Sequence, residues 1–549
     1  MDFDSEEECL MDTSDEEFSS SSSESESDDD LDNVRNWCEI DPTRKLIPPP
    51  KFPFSGNPGI KVPITDAEDP LEYFRLFFDE NIISYIVEET NRFANNHLET
   101  AQLTPSSRSL KWEDVTEREM IKFIALLLLQ GLVQKPVERW FWSKRPIINT
   151  PFFGKIMSQQ QYSLMMKYLH FENSETFDAS THPNPKLRKI YDLHDMLTKN
   201  FKRIYIPEQE ISIDESLLKY KGLLGWKQFI PTKRARFGIK LYQLCESKSG
   251  YIWHSIIYTG KDTSLNEKYK SPNSASNVVM SLMHDLLGHG YTLITDNFYT
   301  CPDLAEMLIK EKTDIYGTMR ANRKNLPKLI KTKKLKKGEI VAFQKGKICV
   351  LKWQDKKPLC MLSTVHSTDS VEVASKRKSQ KKPIVVVDYN KSMGGVDLSD
   401  QCLLYYKITR DRQRKYYKKI FRHLLDQAVW NSFVIFKKNG GSLTHLDFRI
   451  RLIERLIEDS GEIKSALSGG PAHRPSENVT RLTERHFPSF VSNSKSSRTH
   501  PVRKCVVCAT KVNENGKRIR RESRFECEEC NVGLCAAPCF KIYHTVHVI

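Results

Sequence analysis

The chain has 549 residues, with 84 Lys and Arg against 70 Asp and Glu, a net charge of +14. Its longest apolar run, "FIALLLL" at 123–129, is far too short to span a bilayer, and an acidic N-terminus predicts no secretory leader. That excludes a membrane-spanning protein, and the length suggests about three or four domains.

The charge is unevenly placed. Residues 1–34 carry fifteen Asp and Glu and no Lys or Arg, which leaves 84 basic against 55 acidic residues, +29, for the body. A basic body favours a polyanionic partner, nucleic acid above all, over a small-molecule substrate. The run "SSSSSESESDDD" (19–30) has almost nothing to bury, so residues 1–50 read as a disordered acidic tail. Its serines precede acids and suit phosphorylation, and the tail is either a solubiliser or a competitor of DNA.

From 66 to 208 the pattern is helical. "DPLEYFRLFFDENIISYIVEETNRFAN" places apolar residues three and four apart, and Thr116 and Glu119 have capping-box spacing before the next apolar stretch. From 209 the period changes. "EISIDESLL" (210–218), "FGIKLYQLCES" and "GYIWHSIIYTG" predict three strands. An amphipathic helix (276–287), the strand "YTLIT", a helix near 302–311 and the strand "DIYGTM" follow. Such an order predicts a mixed sheet with helices on its faces. Residues 324–384 are basic and loop-like around "ICVLKWQ" and "PLCMLSTVH", and read as an insertion. A helical stretch follows to about 437, a Ser-, Pro- and Gly-rich linker covers 461–500, and 501–549 form a Cys-rich module.

Three carboxylates stand out. Asp214 follows "ISI", Asp296 ends "YTLIT", and Asp397 follows Gly394-Gly395 at the start of a helix, with Asp400 one turn on. Only a fold can join residues 82 and 101 positions apart. Phosphodiester cleavage would need them joined, because two Mg²⁺ ions about 4 Å apart stabilise the attacking and leaving oxygens. A few Asp side chains suffice to hold such hard cations, Mn²⁺ included. The double Gly would let the backbone turn tightly into the helix.

The blocks "ISIDESLLKYKG", "LITDNFYT" and "DYNKSMGGVDLSDQ", with "PTKRARFGIKLYQLCESKSGY" between the first two and "CFKIYH" near the end, resemble the piggyBac family of transposases. The similarity runs from about residue 66 to the C-terminus and is greatest to the piggyBac-derived group that includes the element-derived protein 4 type. The resemblance implies an α/β multidomain protein. Its ribonuclease H-like DDD core would occupy 209–323 and 385–407, with the insertion domain at 324–384. Helical segments 66–208 and 408–460 would form a joint dimerisation and DNA-binding domain. Asp214, Asp296 and Asp397 would be the catalytic metal ligands, and Asp400 a fourth acid. The implied chemistry is nicking at the terminal inverted repeats of double-stranded DNA, hairpin formation and insertion at TTAA, by a homodimer in the nucleus.

One departure bears on activity. The family usually carries a Trp in a basic context after the third block, and the matching position here is Tyr416 in "RQRKYYKKI". Tyr can stack on an unpaired base but lacks the indole's area and N–H. The basic residues Arg412, Arg414 and Lys415 beside it, and Lys233, Arg234 and Arg236 in "PTKRARFG", are the candidate DNA contacts. Runner-up readings are a transposase-derived DNA-binding protein without cleavage, and a RING- or PHD-like ubiquitin ligase or histone reader.

That last reading comes from the C-terminus, which holds six of the thirteen cysteines. Cys505-x2-Cys508, Cys527-x2-Cys530, Cys535, Cys539, His544 and His547 supply eight ligands, enough for two structural Zn²⁺ ions; disulfides are the alternative. A cross-brace would give Cys505, Cys508, Cys535 and Cys539 to one ion and the other four to the second, a pairing that spacing does not fix. The basic runs "SKRKSQKK" (375–382) and "KRIRR" (517–521) could each be a nuclear localisation signal.

Overall fold

The computed structural model describes residues 37–41, 47–231, 235–269, 271–373, 379–461, 486–491, 501–511 and 519–545. Residues 1–36 of the expected acidic tail, most of the linker, Lys233, Arg234 and His547 lie outside the described residues, but Cys38–Ile40, inside the stretch read as disordered, forms an edge strand paired with Ala342–Gln344. Contacts gather in two units, residues 1–462 and 463–549, fewer than the length suggests.

In the first unit the longer elements are helices α1 (Pro70–Phe77), α2 (Glu80–Thr100), α3 (Glu117–Leu132), α4 (Gln159–Tyr168) and α5 (Arg188–Ile204), then strands β1 (Glu210–Lys219), β2 (Phe237–Glu246) and β3 (Ile252–Ile257). Then come α6 (Ser274–Met283), β4 (Thr292–Thr295), α7 (Pro302–Lys310), β5 (Asp314–Met319), β6 (Ile340–Lys345), β7 (Ile348–Gln354) and β8 (Pro358–Ser363). Helices α8 (Ile384–Ser392), α9 (Gly395–Tyr405), α10 (Tyr416–Lys438) and α11 (His445–Asp459) close it. The β-branched run "IVVVDYN" is therefore helical, its first two valines after Ile384 buried in the core.

All these strands share one ten-stranded sheet. The order β3-β2-β1-β4-β5 places three antiparallel strands beside two parallel ones, and β8, β7 and β6 continue the sheet from β5. The strands of the expected insertion thus extend the same sheet. Strand β4, "TLIT", is buried on both faces, as parallel strands covered by helices are.

The helices before and after the sheet pack together, which is why they do not form separate units. Tyr73 of α1 stands edge-on to Phe436 of α10 at 5.4 Å, and its hydroxyl accepts from Asn439. Phe77 lies against Phe201 and Tyr251, so α1 and α5 meet beside the sheet. Each such buried ring stabilises the fold by about 1.5–3 kcal/mol. The capping box of α3 is present, with Thr116 and Glu119 exchanging bonds at 2.9 and 3.3 Å. Helix α10 is buried almost all round, so its charges are paired: Arg422 with Glu138 at 2.6 Å and Asp426 with Arg449 at 2.7 Å. In its C-terminal half, Trp430 donates to the Gly250 carbonyl and Asn431 bonds both backbone groups of Ile252, tying α10 to β3.

Among the described residues, no helix is long and apolar enough to cross a membrane.

Candidate active site and zinc module

Strand register builds the acid site. Strands β1 and β4 run parallel with Ile213 opposite Thr295, so Asp214 and Asp296 follow side by side. Neighbouring strands are about 4.8 Å apart, within reach for two carboxylates sharing ions. Ligands of open α/β sheets gather at such carboxyl ends. Asp296 also makes a turn: its Oδ1 accepts from Phe298 N at 3.0 Å and its carbonyl from Thr300 N at 3.1 Å. Arg323 donates to the carbonyls of Asn297 and Phe298, and Arg320 Nε to Asn297 Oδ1 at 3.3 Å, which holds the loop after Asp296.

The structure assembles three carboxylates, and the third is Glu215. Oxygens of Asp214, Glu215 and Asp296 all lie within 4.8 Å of one another. Burial and the neighbouring Glu215 charge raise the Asp296 pKa, against two backbone N–H groups and Arg320 that lower it. Burial opposes ionisation of Glu215 too, but Lys240, 3.3 Å away, with Asp214 and the Tyr299 hydroxyl, leaves its pKa lowered. Sequence reasoning passed over Glu215 because adjacent strand residues normally face opposite ways.

Asp397, expected in that set, is exposed in the first turn of α9 and outside the group of three. It shares a neighbourhood with the pair, since Asp296, Asp214 and Asp397 all act on the Tyr389 phenol. Asp400 accepts from Ser216 Oγ at 2.6 Å and ties α9 to β1. The double Gly has a different reason from the expected tight turn. Gly394 has an ordinary φ of −72°, whereas a Cβ on Gly395 would meet Ser212 Oγ at 2.5 Å and the Glu246 carbonyl at 2.9 Å. Gly395 lets α9 begin close against the sheet.

The donor set fits a hard divalent cation. It is all carboxylate oxygen, and like charge crowded around Asp296 is the stress a cation relieves.

Of the expected DNA contacts, Arg236, Arg412, Arg414 and Lys415 are exposed. Their loops are tied to the end of β1: Lys219 pairs with Asp411 at 2.9 Å and Tyr220 donates to the Arg414 carbonyl. Tyr416 is half-buried, donating to the Lys186 carbonyl at 3.1 Å. Its ring stands edge-on to Trp226 at 5.7 Å. An indole therefore lies beside the position where the family has one, brought from "GLLGWKQ", a loop without periodicity to flag it.

The second unit is built on cysteine. Oxygen-free ligand atoms of Cys505, Cys508, Cys535 and Cys539 lie within 4.8 Å of one another. Sγ of Cys508 is 3.6 Å from Cys539 and 3.9 Å from Cys535. A disulfide needs about 2.05 Å. The edge of a tetrahedron with Zn–S bonds of about 2.3 Å is about 3.8 Å, so the spacing fits zinc and excludes the disulfide alternative among these pairs. The second group is Cys527, Cys530, His544 and His486. His486 Nδ1 lies 3.4 Å from Cys527 Sγ and 3.7 Å from Cys530 Sγ, and His544 Nε2 is 3.6 Å from Cys530 Sγ. His486 takes the place expected for His547. It arrives because Ser489–Phe490 pairs with Phe525–Glu526, which lays the segment from 486 along the Cys527 strand. Its distance from the cysteines in sequence hid it. A small core of Val507, Leu534, Phe540 and Tyr543 supports the sites.

Comparison with known proteins follows this geometry. A family model described as Transposase IS4 matches residues 69–433, well over half the chain, and one described as a DDE_Tnp_1-like zinc finger matches residues 485–545. Human PiggyBac transposable element-derived protein 3 is 26% identical over 499 residues, 88% of this chain and 77% of that protein. The chain belongs to the piggyBac transposase family. Human PiggyBac transposable element-derived protein 2 is 25% identical over 403 residues, 69% of this chain but only 63% of that protein's length. The cryo-EM structure of a piggyBac transposase synaptic complex with hairpin DNA superimposes with a TM-score of 0.67 at 22% identity, covering 88% of this chain and 100% of the other. That likeness is one of fold: the mixed, ribonuclease H-like sheet, its flanking helices and a Cys-rich C-terminal region. The matched zinc-finger model, residues 485–545, spans His486 as well as the cysteines.

Proposed function

We propose that this chain is a DNA transposase that cuts and rejoins phosphodiesters at the ends of a mobile element. The observation that carries the reading is the in-register pair Asp214 and Asp296 joined by Glu215, where the end of β4 lies beside the middle of β1. Asp214 and Asp296, with Glu215 beside them and Asp397 on α9, would hold divalent cations, Mg²⁺ or Mn²⁺. Such ions, when bound, stabilise charge on the attacking and leaving oxygens. The chain's own residues position the DNA. Arg320 and Arg323 fix the loop after Asp296. Arg236, Arg412, Arg414 and Lys415 meet phosphates, and Tyr416 with Trp226 offers an aromatic wall to an unpaired base.

In the proposed reaction water opens one strand at each end. The new 3′-OH attacks the opposite strand to give a hairpin and displace the flanking DNA; water then reopens the hairpin, and the regenerated 3′-OH joins target DNA at TTAA. A homodimer acting in the nucleus on double-stranded terminal repeats completes the reading, with the zinc module as the reader of those repeats. A second reading, DNA binding without cleavage, is favoured by the exposed position of Asp397 outside the group of three. An excision reporter in cells separates them, using inverted repeats flanked by TTAA taken from around the gene. Excision by wild type that is lost in Asp296→Asn supports cleavage. DNA binding with no excision by wild type or Tyr416→Trp supports the second reading.

A further inference from the structure

The row of polar side chains continues one strand further. Strands β4 and β5 are parallel with Thr295 opposite Gly317, so Asp296 is followed across the sheet by Thr318. Asp214, Asp296 and Thr318 thus stand at one level on three adjacent strands, and in-register residues of parallel strands share a face. Helices α8 and α9 cover that face. Ser216, two residues after Asp214, bonds Asp400 of α9, and Thr318 Oγ1 donates to the Tyr389 hydroxyl of α8 at 3.4 Å.

Tyr389 is well placed to act there. Its ring packs against a core that includes Ile294, Tyr316, Val385 and Val386, so its position is fixed. Its oxygen already accepts from Thr318, which leaves its own proton to be donated; among the described residues no acceptor takes it. Burial and the charges of Asp296, Asp214 and Asp397 push its pKa up to about 12, so it is a neutral donor at working pH.

We propose that Tyr389 is a further catalytic residue, whose hydroxyl donates a hydrogen bond to a non-bridging oxygen of the scissile phosphate seated over Asp214 and Asp296. This rests on the cleavage reading above. A fixed neutral donor stabilises the charge that builds on the phosphoryl oxygens without adding another carboxylate to a crowded site. The ring and its packing survive Tyr389→Phe, so that change removes the donor alone.

The test is single-turnover cleavage by the full, zinc-loaded chain. The substrate is a duplex carrying the terminal repeat and its TTAA flank, with the scissile phosphate as oxygen or as either phosphorothioate diastereomer. Tyr389→Phe is expected to cleave about 10²-fold more slowly, with unchanged DNA affinity and melting temperature. One sulfur diastereomer should slow wild type and add nothing further in Tyr389→Phe; Thr318→Val should give a smaller loss. Wild-type speed in Tyr389→Phe, or the same sulfur penalty in both proteins for both diastereomers, overturns the proposal and leaves the cleavage reading standing. A wild type that binds the duplex without cutting it overturns both.

Discussion

Asp214 and Asp296 are set side by side by two parallel strands whose neighbouring residues, Ile213 and Thr295, are fully buried. The eight Cys and His side chains of the zinc module, by contrast, sit on a handful of apolar side chains in a unit of short strands and helices of one or two turns. In the first region a large core makes the site, and a cation would be needed only for the proposed chemistry. In the second the metal supplies what the core lacks, because so small a unit buries too little surface to fold alone. Metal removal should therefore have opposite consequences in the two places.

The largest effect is expected in the module. Stripping zinc should unfold 486–545, since structural zinc contributes on the order of 10 kcal/mol to such domains. Hydrogen exchange should show that segment losing protection while the sheet keeps it. His486→Ala should halve the zinc content, and His547→Ala should leave it at two ions; the reverse would restore His547 as the ligand. Next comes the acid site, where Asp296→Asn should lower cleavage by at least about 10²–10³-fold, measured under single-turnover conditions. Gly317→Ala should disturb the register itself. Its Cβ would meet the Thr295 carbonyl oxygen at 2.0 Å, so we expect a loss of about 1–3 kcal/mol in denaturant melts, with reduced cation affinity.

Acid and ion effects sharpen the contrast further. The Asp296 carboxyl is held above its ordinary range, so ionisation costs the folded state more than the unfolded one. Its contribution to stability is present below the unfolded value, about 3.9, and is lost as pH rises through the raised folded value. Without divalent ions, the sheet unit of wild type should lose stability over that window relative to Asp296→Asn, and Mg²⁺ should reduce the difference. The smallest effect expected is from Tyr416→Trp, a gain of a few-fold in excision at most, because Trp226 already stands beside that ring.

Legibility followed locality. The strand around Asp214 alternates in sequence and the one before Asp296 is a short β-branched run, so their existence and order were readable. So were the Thr116 capping box and the cysteine pairs. What depended on register or on distant pairing was not readable. Glu215 joins the acids although adjacent strand residues normally face opposite ways. His486 reaches the zinc site through a two-residue strand pairing, and Trp226 meets Tyr416 across 190 positions. The purpose of Gly395 was misread because close approach to Ser212 leaves no sequence mark. The match in the third block pointed to Asp397, and in the fold that residue heads the helix beside the pair instead of joining it.

The most direct measurement of the central claim is Mn²⁺ binding by calorimetry to the full, zinc-loaded chain and to Asp214→Asn and Asp296→Asn. Thiolate sites hold Zn²⁺ in preference to Mn²⁺, so the zinc module is silent. The account predicts saturable binding to wild type that is lost, or at least tenfold weaker, in both variants. Equal binding by all three proteins would contradict it, because the Asp214 and Asp296 carboxylates would then not be what holds the ion.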